Sequence, residues 1–309
     1  MTMAGYKLAT YQSMQGPRAG VVVDETVFDA AELTGEHAYA SVLGMLEAWQ
    51  KADAAVRAAL DKRATQTKAM PLVQTRLRAP VLWPSAIYCA GANYSDHAAE
   101  MAKRANRPEE PNPKTLGLKP WHFIKASRTL ADPGATVTAT NYTQKLDWEV
   151  ELAAVIGKAA KNVPVEKALE YVAGYTAAND LSARDLSRRP HIPDTSAFKS
   201  DWIGQKSFDG ACPLGPWIVP AQDIPNPDNL AIKLWVNDVI KQDSNTSKMI
   251  YNIAEQIAHI SSGITLHPGD IILTGTPAGV GSARNEFLKA GDVVKIEIER
   301  IGTLTNTMA

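Results

Sequence analysis

The stretch LDWEVELAAVIG (146–157) sets three acids, Asp147, Glu149 and Glu151, at every second position, with Trp148, Val150 and Leu152 between them. Side chains at i and i+2 of a β-strand project from one face, with Cβ atoms about 7 Å apart at a rise of about 3.3 Å per residue. The alternation predicts a strand whose apolar face enters a core and whose other face crowds like charges. Two carboxylates about 4 Å apart repel by about 4 kcal/mol at an effective dielectric of about 20, so something positive has to lie close by. On a solvated edge, water or a stray lysine serves, and most acid-alternating strands are of that kind. A hard divalent cation is the sharper reading, because Mg2+ takes about six oxygens and is commonly held by few carboxylates, with water or substrate filling the other positions. The strand alone leaves both readings open.

Outward from this stretch, strand patterns dominate. VEKALEYVAGYTAAND (165–180) reads as a short helix running into a strand, and LAIKLWVNDVIKQD (230–243) as a hairpin turned by Asn237 and Asp238. GDIILTG (269–275) and GDVVKIEIERIG (291–302) are strands after Gly-Asp turns, whereas MIYNIAEQIAHISSG (249–263) carries the apolar stripe of an amphipathic helix. Toward the N-terminus, YKLATYQ and GVVVDETVFDAAEL read as strands and SVLGMLEAWQKADAAVRAALDKRA (41–64) as a helix. Residues 1–75 are expected to form a small N-terminal unit, with the main domain over 76–309. KRANRPEEPNPKTLGLKP (103–120) is rich in proline and charge without apolar periodicity, and reads as a loop or lid. Helix and strand alternate too irregularly for a barrel of βα units.

Composition narrows the function. With 309 residues, 45% of them hydrophobic, the chain can bury a sizeable core. A formal net charge of -1 gives no basic field for nucleic acid or an anionic membrane. The two cysteines, Cys89 and Cys212, stand far apart without metal-binding spacing, which suits a reducing cytoplasm. No apolar run reaches membrane-spanning length, and the N-terminal residues lack the layout of a signal peptide.

Two further stretches carry polar chemistry. In GANYSDHAAEM (91–101), a helix would set His97 and Glu100 on one face, so that the carboxylate orients the ring and leaves its other nitrogen to take a proton. Such a pair is more often a surface ion pair than a catalytic one. LTGTPAGVG (273–281) lacks the lysine and spacing of a phosphate loop, but its backbone N–H groups could cradle a carboxylate. A tight connection between strands is the plainer alternative. No GxSxG elbow or HExxH helix is present.

Together these stretches resemble the fumarylacetoacetate hydrolase family. GANYSDHAAE, FIKAS, LDWEVELAAVIG, GYTAANDLSARD, QKSFDGACPLGPW and GDIILTGTPAGVG occur in the family's order over most of 80–305. The likeness is to its acylpyruvase-like and isomerase-like branch. It implies an α+β, mostly β fold, a mixed β-sandwich roll behind a small N-terminal α+β domain, usually a homodimer binding Mg2+ or Mn2+. Residue by residue, it implies Glu149, Glu151 and Asp180 as metal ligands, with Asp147 a flanking acid. It also implies His97, Glu100 and Lys206 as catalytic groups, and Lys125, Arg184 and Thr276 as substrate contacts. The expected substrate is a 2-oxo acid of aromatic-compound breakdown. For a 2,4-dioxo acid such as fumarylpyruvate, His97 with Glu100 would activate water, and cleavage of the C3–C4 bond would release pyruvate. Isomerisation of an unsaturated 2-oxo dioate and decarboxylation of oxaloacetate draw on the same site, and hydrolysis is favoured. The segment 101–120 is expected to close over the substrate.

Overall fold

In the computed structural model, which describes residues 5–62 and 68–309, the acid-bearing stretch is extended but interrupted, because Trp148 and Glu149 leave the ladder. The chain opens with the antiparallel meander β1 (Lys7–Ser13), β2 (Gly16–Val23) and β3 (Thr26–Asp29). The residues that follow, expected to prolong a strand, form helix α1 (Ala30–Thr34), because the Asp29 side chain accepts the Glu32 N–H at 3.0 Å and caps a first turn. The helical pattern over 41–64 folds as α2 (Val42–Glu47) and α3 (Trp49–Asp61) with Ala48 between them, and residues 63 and 64 lie outside the described residues. Strands β4 (Ala69–Pro71) and β5 (Leu77–Arg78) then pair with β3 and β1.

Next come β6 (Ile87–Ala90), α4 (Ser95–Arg104), β7 (His122–Lys125), and the short pieces β8 (Leu130–Ala131), β9 (Thr136–Val137) and β10 (Leu146–Asp147). The long strands β11 (Val150–Ile156) and β12 (Val172–Asn179) follow, then β13 (Ser182–Ala183), α5 (Trp202–Lys206) and β14 (Cys212–Pro220). The chain ends with β15 (Ala231–Val236), β16 (Val239–Asn245), α6 (Ile253–Gly263), β17 (Ile271–Leu273), α7 (Gly281–Arg284), β18 (Val293–Ile298) and β19 (Gly302–Met308). Asn237 and Asp238 turn the β15–β16 hairpin at φ 49° and 65°, the left-handed pair a two-residue turn requires. The start of α6 is fixed by a reciprocal box in which the side chains of Asn252 and Glu255 accept each other's backbone N–H.

A twelve-stranded sheet runs β4-β3-β2-β1-β14-β12-β11-β17-β6-β7, with β5 on β1 and β8 on β14, and a five-stranded sheet runs β16-β15-β18-β19-β9. Val150, Leu152, Ala154 and Ile156 pack in one core with Ile232, Leu234, Ile296 and Ile298 of the smaller sheet and with the α6 stripe Ile253, Ile257 and Ile260. On the opposite face Ala153 and Val155 join Leu8, Val21 and Ile218 under Met45, Leu46, Ala52 and Val56 of the N-terminal helices. By strand alternation Glu149 and Glu151 share that second face. They are 6% and 1% exposed, so the acids belong to the core and not to a solvated edge. The sheet-rich α+β architecture implied by the resemblance is present, with 33% of residues in strands and 28% in helices.

The expected loop over 103–120 begins inside α4 and contains one 3-10 turn, Pro113–Leu116, ended by Gly117 at φ 70°. It is tied to α6 and the residues before it: Lys114 Nζ donates to Glu255 at 2.7 Å, and Tyr251 Oη to the Leu118 carbonyl at 2.7 Å.

Arg57 of α3 fastens the N-terminal helices to the rest of the chain. Its guanidinium donates to Asp53 at 3.1 Å and to Asp223 at 2.9 Å, and Tyr6 and Gln222 donate to Asp53 at 2.8 and 2.6 Å. Arg57→Met leaves two partly buried carboxylates without this donor, and is expected to lower stability by about 2 kcal/mol. The measurement is the urea midpoint, which should fall at unchanged m-value.

Candidate metal centre and active site

The register of β11 against β12 sets Val150 opposite Asn179, which brings Glu149 and Glu151 beside Asp180 at the strand ends. Asp180 N–H donates to the Glu149 carbonyl at 2.9 Å, and the Asn179 side chain accepts the Glu149 N–H at 3.0 Å. One carboxylate oxygen from each of Glu149, Glu151 and Asp180 lies within 4.8 Å of the others, and all three side chains are buried.

Three cations brace the acids from other elements. Lys206, at the end of α5, donates to Asp180 at 2.6 Å and Glu149 at 3.0 Å. Lys125, from β7, donates to Asp180 at 2.6 Å, and Arg184 to Asp147 at 2.7 Å and also to Glu149. Burial works against the Glu149 charge, yet Lys206 and Arg184 outweigh it and bring the carboxyl down to about 2. Glu151 behaves in the opposite way: burial, then the charges of Asp180 and Glu149, push its carboxyl well above the ordinary range. Lys206 stays firmly protonated, since Asp180 and Glu149 overcome the burial that opposes its charge.

Asp147, Glu149 and Asp180 are matched by Lys125, Arg184 and Lys206, whereas Glu151, held toward its neutral form, has no basic side chain bonded to it among the described residues. The three clustered donors are hard oxygens without histidine or cysteine, a set that fits Mg2+ or Mn2+ and not a soft metal. Glu149, Glu151 and Asp180 would hold a divalent ion with Glu151 ionised, and the four acids, three bases and the ion would then carry one net positive charge, which suits an anionic ligand.

In the glycine-rich turn after β17, several of the N–H groups expected to cradle a ligand carboxylate bind the protein's own acids. Gly275 donates to Glu151 at 2.6 Å, Ala278 to Asp96 at 3.3 Å, Gly279 to Glu100 at 3.0 Å, and Gly281 and Ser282 to Asp147 at 2.6 and 3.0 Å. Gly279 has φ 103°, and a Cβ there would lie 2.1 Å from the Lys241 carbonyl, so only glycine fits. The Thr276 hydroxyl, expected at the substrate, donates to the Val150 carbonyl and accepts from Gln242, both at 2.9 Å. Among the described residues, the Thr276 N–H has no acceptor.

A cavity of about 330 Å³ opens beside these groups, and His97, Glu149, Arg184, Lys206 and Thr276 all line it. His97 Nδ1 lies 3.4 Å from Glu100, a long contact, while both Glu100 oxygens accept the Gly279 N–H. Lys125 is a correction: expected to touch substrate, it is 0% exposed and bonds Asp180 and the Leu181 carbonyl behind the cavity wall. Arg107 and Glu110 of the 101–120 segment reach the cavity and pair with each other at 2.7 Å.

Sequence reasoning passed over several members of the site. Trp121, Phe123 and Trp202 form an aromatic wall, with Phe123 stacked on Trp202 at 5.1 Å and Lys206 5.0 Å from the Phe123 ring centre. Gln242, wholly buried, joins Val150 to Thr276 and Pro277. Asp96 was legible, being four residues before Glu100 on one helical face.

The sequence model for the fumarylacetoacetate hydrolase C-terminal region matches residues 86–309. The mitochondrial oxaloacetate tautomerase FAHD2B of Homo sapiens is 38% identical over 265 residues, covering 85% of this chain and 78% of that protein. Fumarylacetoacetate hydrolase from the psychrophile Exiguobacterium antarcticum superimposes with TM-score 0.78 at 30% identity, covering 98% of this chain and 99% of that one. Maleylpyruvate hydrolase from Sphingobium sp. SYK-6, solved with manganese(II) and pyruvate, gives TM-score 0.74 at 29% identity, covering 98% of both chains. Among the described residues no helix is long and apolar enough to cross a membrane. Motif order, fold and the matched family region agree, and the chain belongs to the fumarylacetoacetate hydrolase family.

Proposed function

We propose that the chain is a divalent-metal-dependent enzyme acting on a 2-oxo acid, and that its reaction is keto–enol proton transfer in an acid of the oxaloacetate type. The observation that carries this reading is the buried triad Glu149, Glu151 and Asp180, braced by Lys206, beside a cavity that also holds His97. The likeness to an oxaloacetate tautomerase supports the choice of reaction. A divalent ion held by the triad supplies Lewis-acid polarisation of the 2-oxo carbonyl.

The chain's own residues do the remainder. Lys206 has three N–H donors, two of them on Asp180 and Glu149, which leaves one for the oxygen that gains charge in the enolate. His97 takes a proton from C3 of the keto form while the enolate oxygen takes one from solvent; in the reverse direction the enol hydroxyl gives its proton to solvent and protonated His97 delivers one to C3, with Glu100, fixed on Gly279, occupying the other ring nitrogen. The free Thr276 N–H is the donor for the substrate carboxylate. The aromatic wall gives a planar enol an apolar face and excludes water.

Hydrolysis of an acylpyruvate such as fumarylpyruvate is the second reading, favoured by the capacity of His97 with Glu100 to activate water and by the likeness to maleylpyruvate hydrolase. Oxaloacetate decarboxylation, like that hydrolysis, would leave pyruvate enolate in the same cavity. Aromatic-compound breakdown goes with that second reading; for either, the family resemblance supports a homodimer and the two buried free thiols suit a reducing compartment such as the cytoplasm.

Enol oxaloacetate, followed by its ultraviolet absorbance with Mn2+ and then with EDTA, tests the assignment. Metal-dependent loss of the enol with mass conserved is expected. Pyruvate with a second acid from fumarylpyruvate would transfer the assignment to hydrolysis, CO2 release would transfer it to decarboxylation, and inertness toward all these acids would overturn it.

Two variants probe the roles. His97→Asn should lower kcat by about 10²–10⁴-fold with Mn2+ affinity unchanged by calorimetry. Glu151→Gln should abolish Mn2+ binding yet melt no lower than the metal-free parent, since burial, Asp180 and Glu149 already hold the Glu151 carboxyl toward its neutral form, which the amide mimics.

A further inference from the structure

A second cavity of about 690 Å³ adjoins the first, and Met101, Arg184, Trp202 and Gln205 line both, so that these four side chains frame the passage between them. Gln205 directly precedes Lys206 in α5 and is 7% exposed. A buried amide ordinarily spends its donors on the protein, as Gln242 does on Thr276 and Gln256 on the Tyr251 carbonyl, each at 2.9 Å. The Gln205 side chain has no such partner among the described residues: its main-chain N–H donates to the Asp201 carbonyl at 3.1 Å, while its amide opens on the two cavities. Arg184 adds unused capacity at the same passage. Its Nε bonds Asp147 and one Nη bonds Glu149, which leaves the other Nη free to donate among the described residues.

Keto–enol transfer moves two protons, one at C3 and one at the oxygen. His97 serves the carbon, whereas the oxygen exchanges with solvent, and Trp121, Phe123 and Trp202 keep solvent off much of the first cavity. The second cavity is roomy, and Ser187, Ser200 and Asn285 lend it polar walls, the conditions under which a cavity holds water. We propose that Gln205 is a positioning residue for the water that exchanges the oxygen proton. The free Nη of Arg184 donates to this water, the Gln205 carbonyl accepts one of its hydrogens, and the other hydrogen faces the enolate oxygen. An amide suits the task because it orients a water without ionising and so does not compete for the proton. As the enol O–H bond forms, the O–H bond of the water breaks, and the water recovers a proton from the next one in the second cavity. The proton that His97 took from C3 passes to solvent when the ring returns to its neutral form, so the protons balance with water as the one co-reactant. The inference rests on the reading of the reaction as keto–enol proton transfer.

Gln205→Leu and Gln205→Met keep most of the side-chain volume and remove the amide. The Mn2+-loaded parent and variants are compared on enol oxaloacetate in H2O and in D2O. With the water no longer held, kcat should fall about tenfold, the effect of about one hydrogen bond, at little-changed KM. The H2O/D2O rate ratio should rise, because the oxygen proton transfer then limits the rate. Both variants should melt no lower than the parent and bind Mn2+ as it does, since they lose an amide that has no protein partner. A raised KM at unchanged kcat would make Gln205 a direct substrate contact and overturn the water. A fall in kcat at an unchanged isotope ratio, or loss of Mn2+ binding in both variants, would reduce Gln205 to a structural role, and unchanged kinetics would give it none. In each of these cases an active parent still upholds the reaction, whereas a parent inert toward enol oxaloacetate overturns the reaction and the role of Gln205 with it.

Discussion

One short run of backbone, residues 275–282, holds the site together by donating N–H groups to four carboxylates. Glu151 comes from β11, Asp147 from β10, and Asp96 and Glu100 from α4, so a single turn fixes three elements relative to one another. Peptide donors are suited to this, because their directions are set by the chain and no side-chain rotamer has to be frozen to aim them. The requirement reaches back into the sequence: glycine at 279 is forced by both its φ and the neighbouring Lys241 carbonyl, and Gly275, at φ 99°, would set a Cβ 2.8 Å from that of Asn93. The same turn meets both the acid centre and the His97 helix, so anything that displaces it moves both.

The charges around that turn are arranged against stability. Buried ion pairs recover their desolvation cost only when the geometry is good and the remaining lone pairs are satisfied. Here Lys125, Lys206 and Arg184 meet that condition for Asp147, Glu149 and Asp180, whereas Glu151 is left with a backbone donor and two like charges nearby. The deficit falls at Glu151, one of the three acids whose oxygens lie within 4.8 Å of one another. Holding two lysines and an arginine on the surrounding acids keeps those side chains in place before any ligand arrives.

Much of this was legible in the residues, and the limits have a physical origin. Strand period places Glu149 and Glu151 together, and the family's motif order adds Asp180, Lys206 and His97; the geometry brings them to one place. Period says which residues share a face but not what covers it, so the burial of the acids among Ala153 and Val155 had no local signal. Glycine content marks a turn able to bind anions without saying whose, and the anions proved to be the chain's own. Lys125 failed as a substrate contact for a similar reason: its partner Asp180 is 55 residues away, and only the packing of β7 against the strand ends reveals that its ammonium is engaged. The aromatic wall draws Trp121, Phe123 and Trp202 from separate segments, beyond any local pattern.

The pairing of β1 with β14, Leu8 opposite Ile218, has a further consequence. The N-terminal strands continue the sheet that carries the acids, and the helices after them cover its second face. A version of this enzyme lacking that unit would carry a bare edge at β14 and an uncovered apolar surface, the combination from which sheets recruit neighbouring chains into aggregates. The front of the molecule thus serves as its own edge protection. A shortened relative would need another chain, or another copy of itself, to do the same.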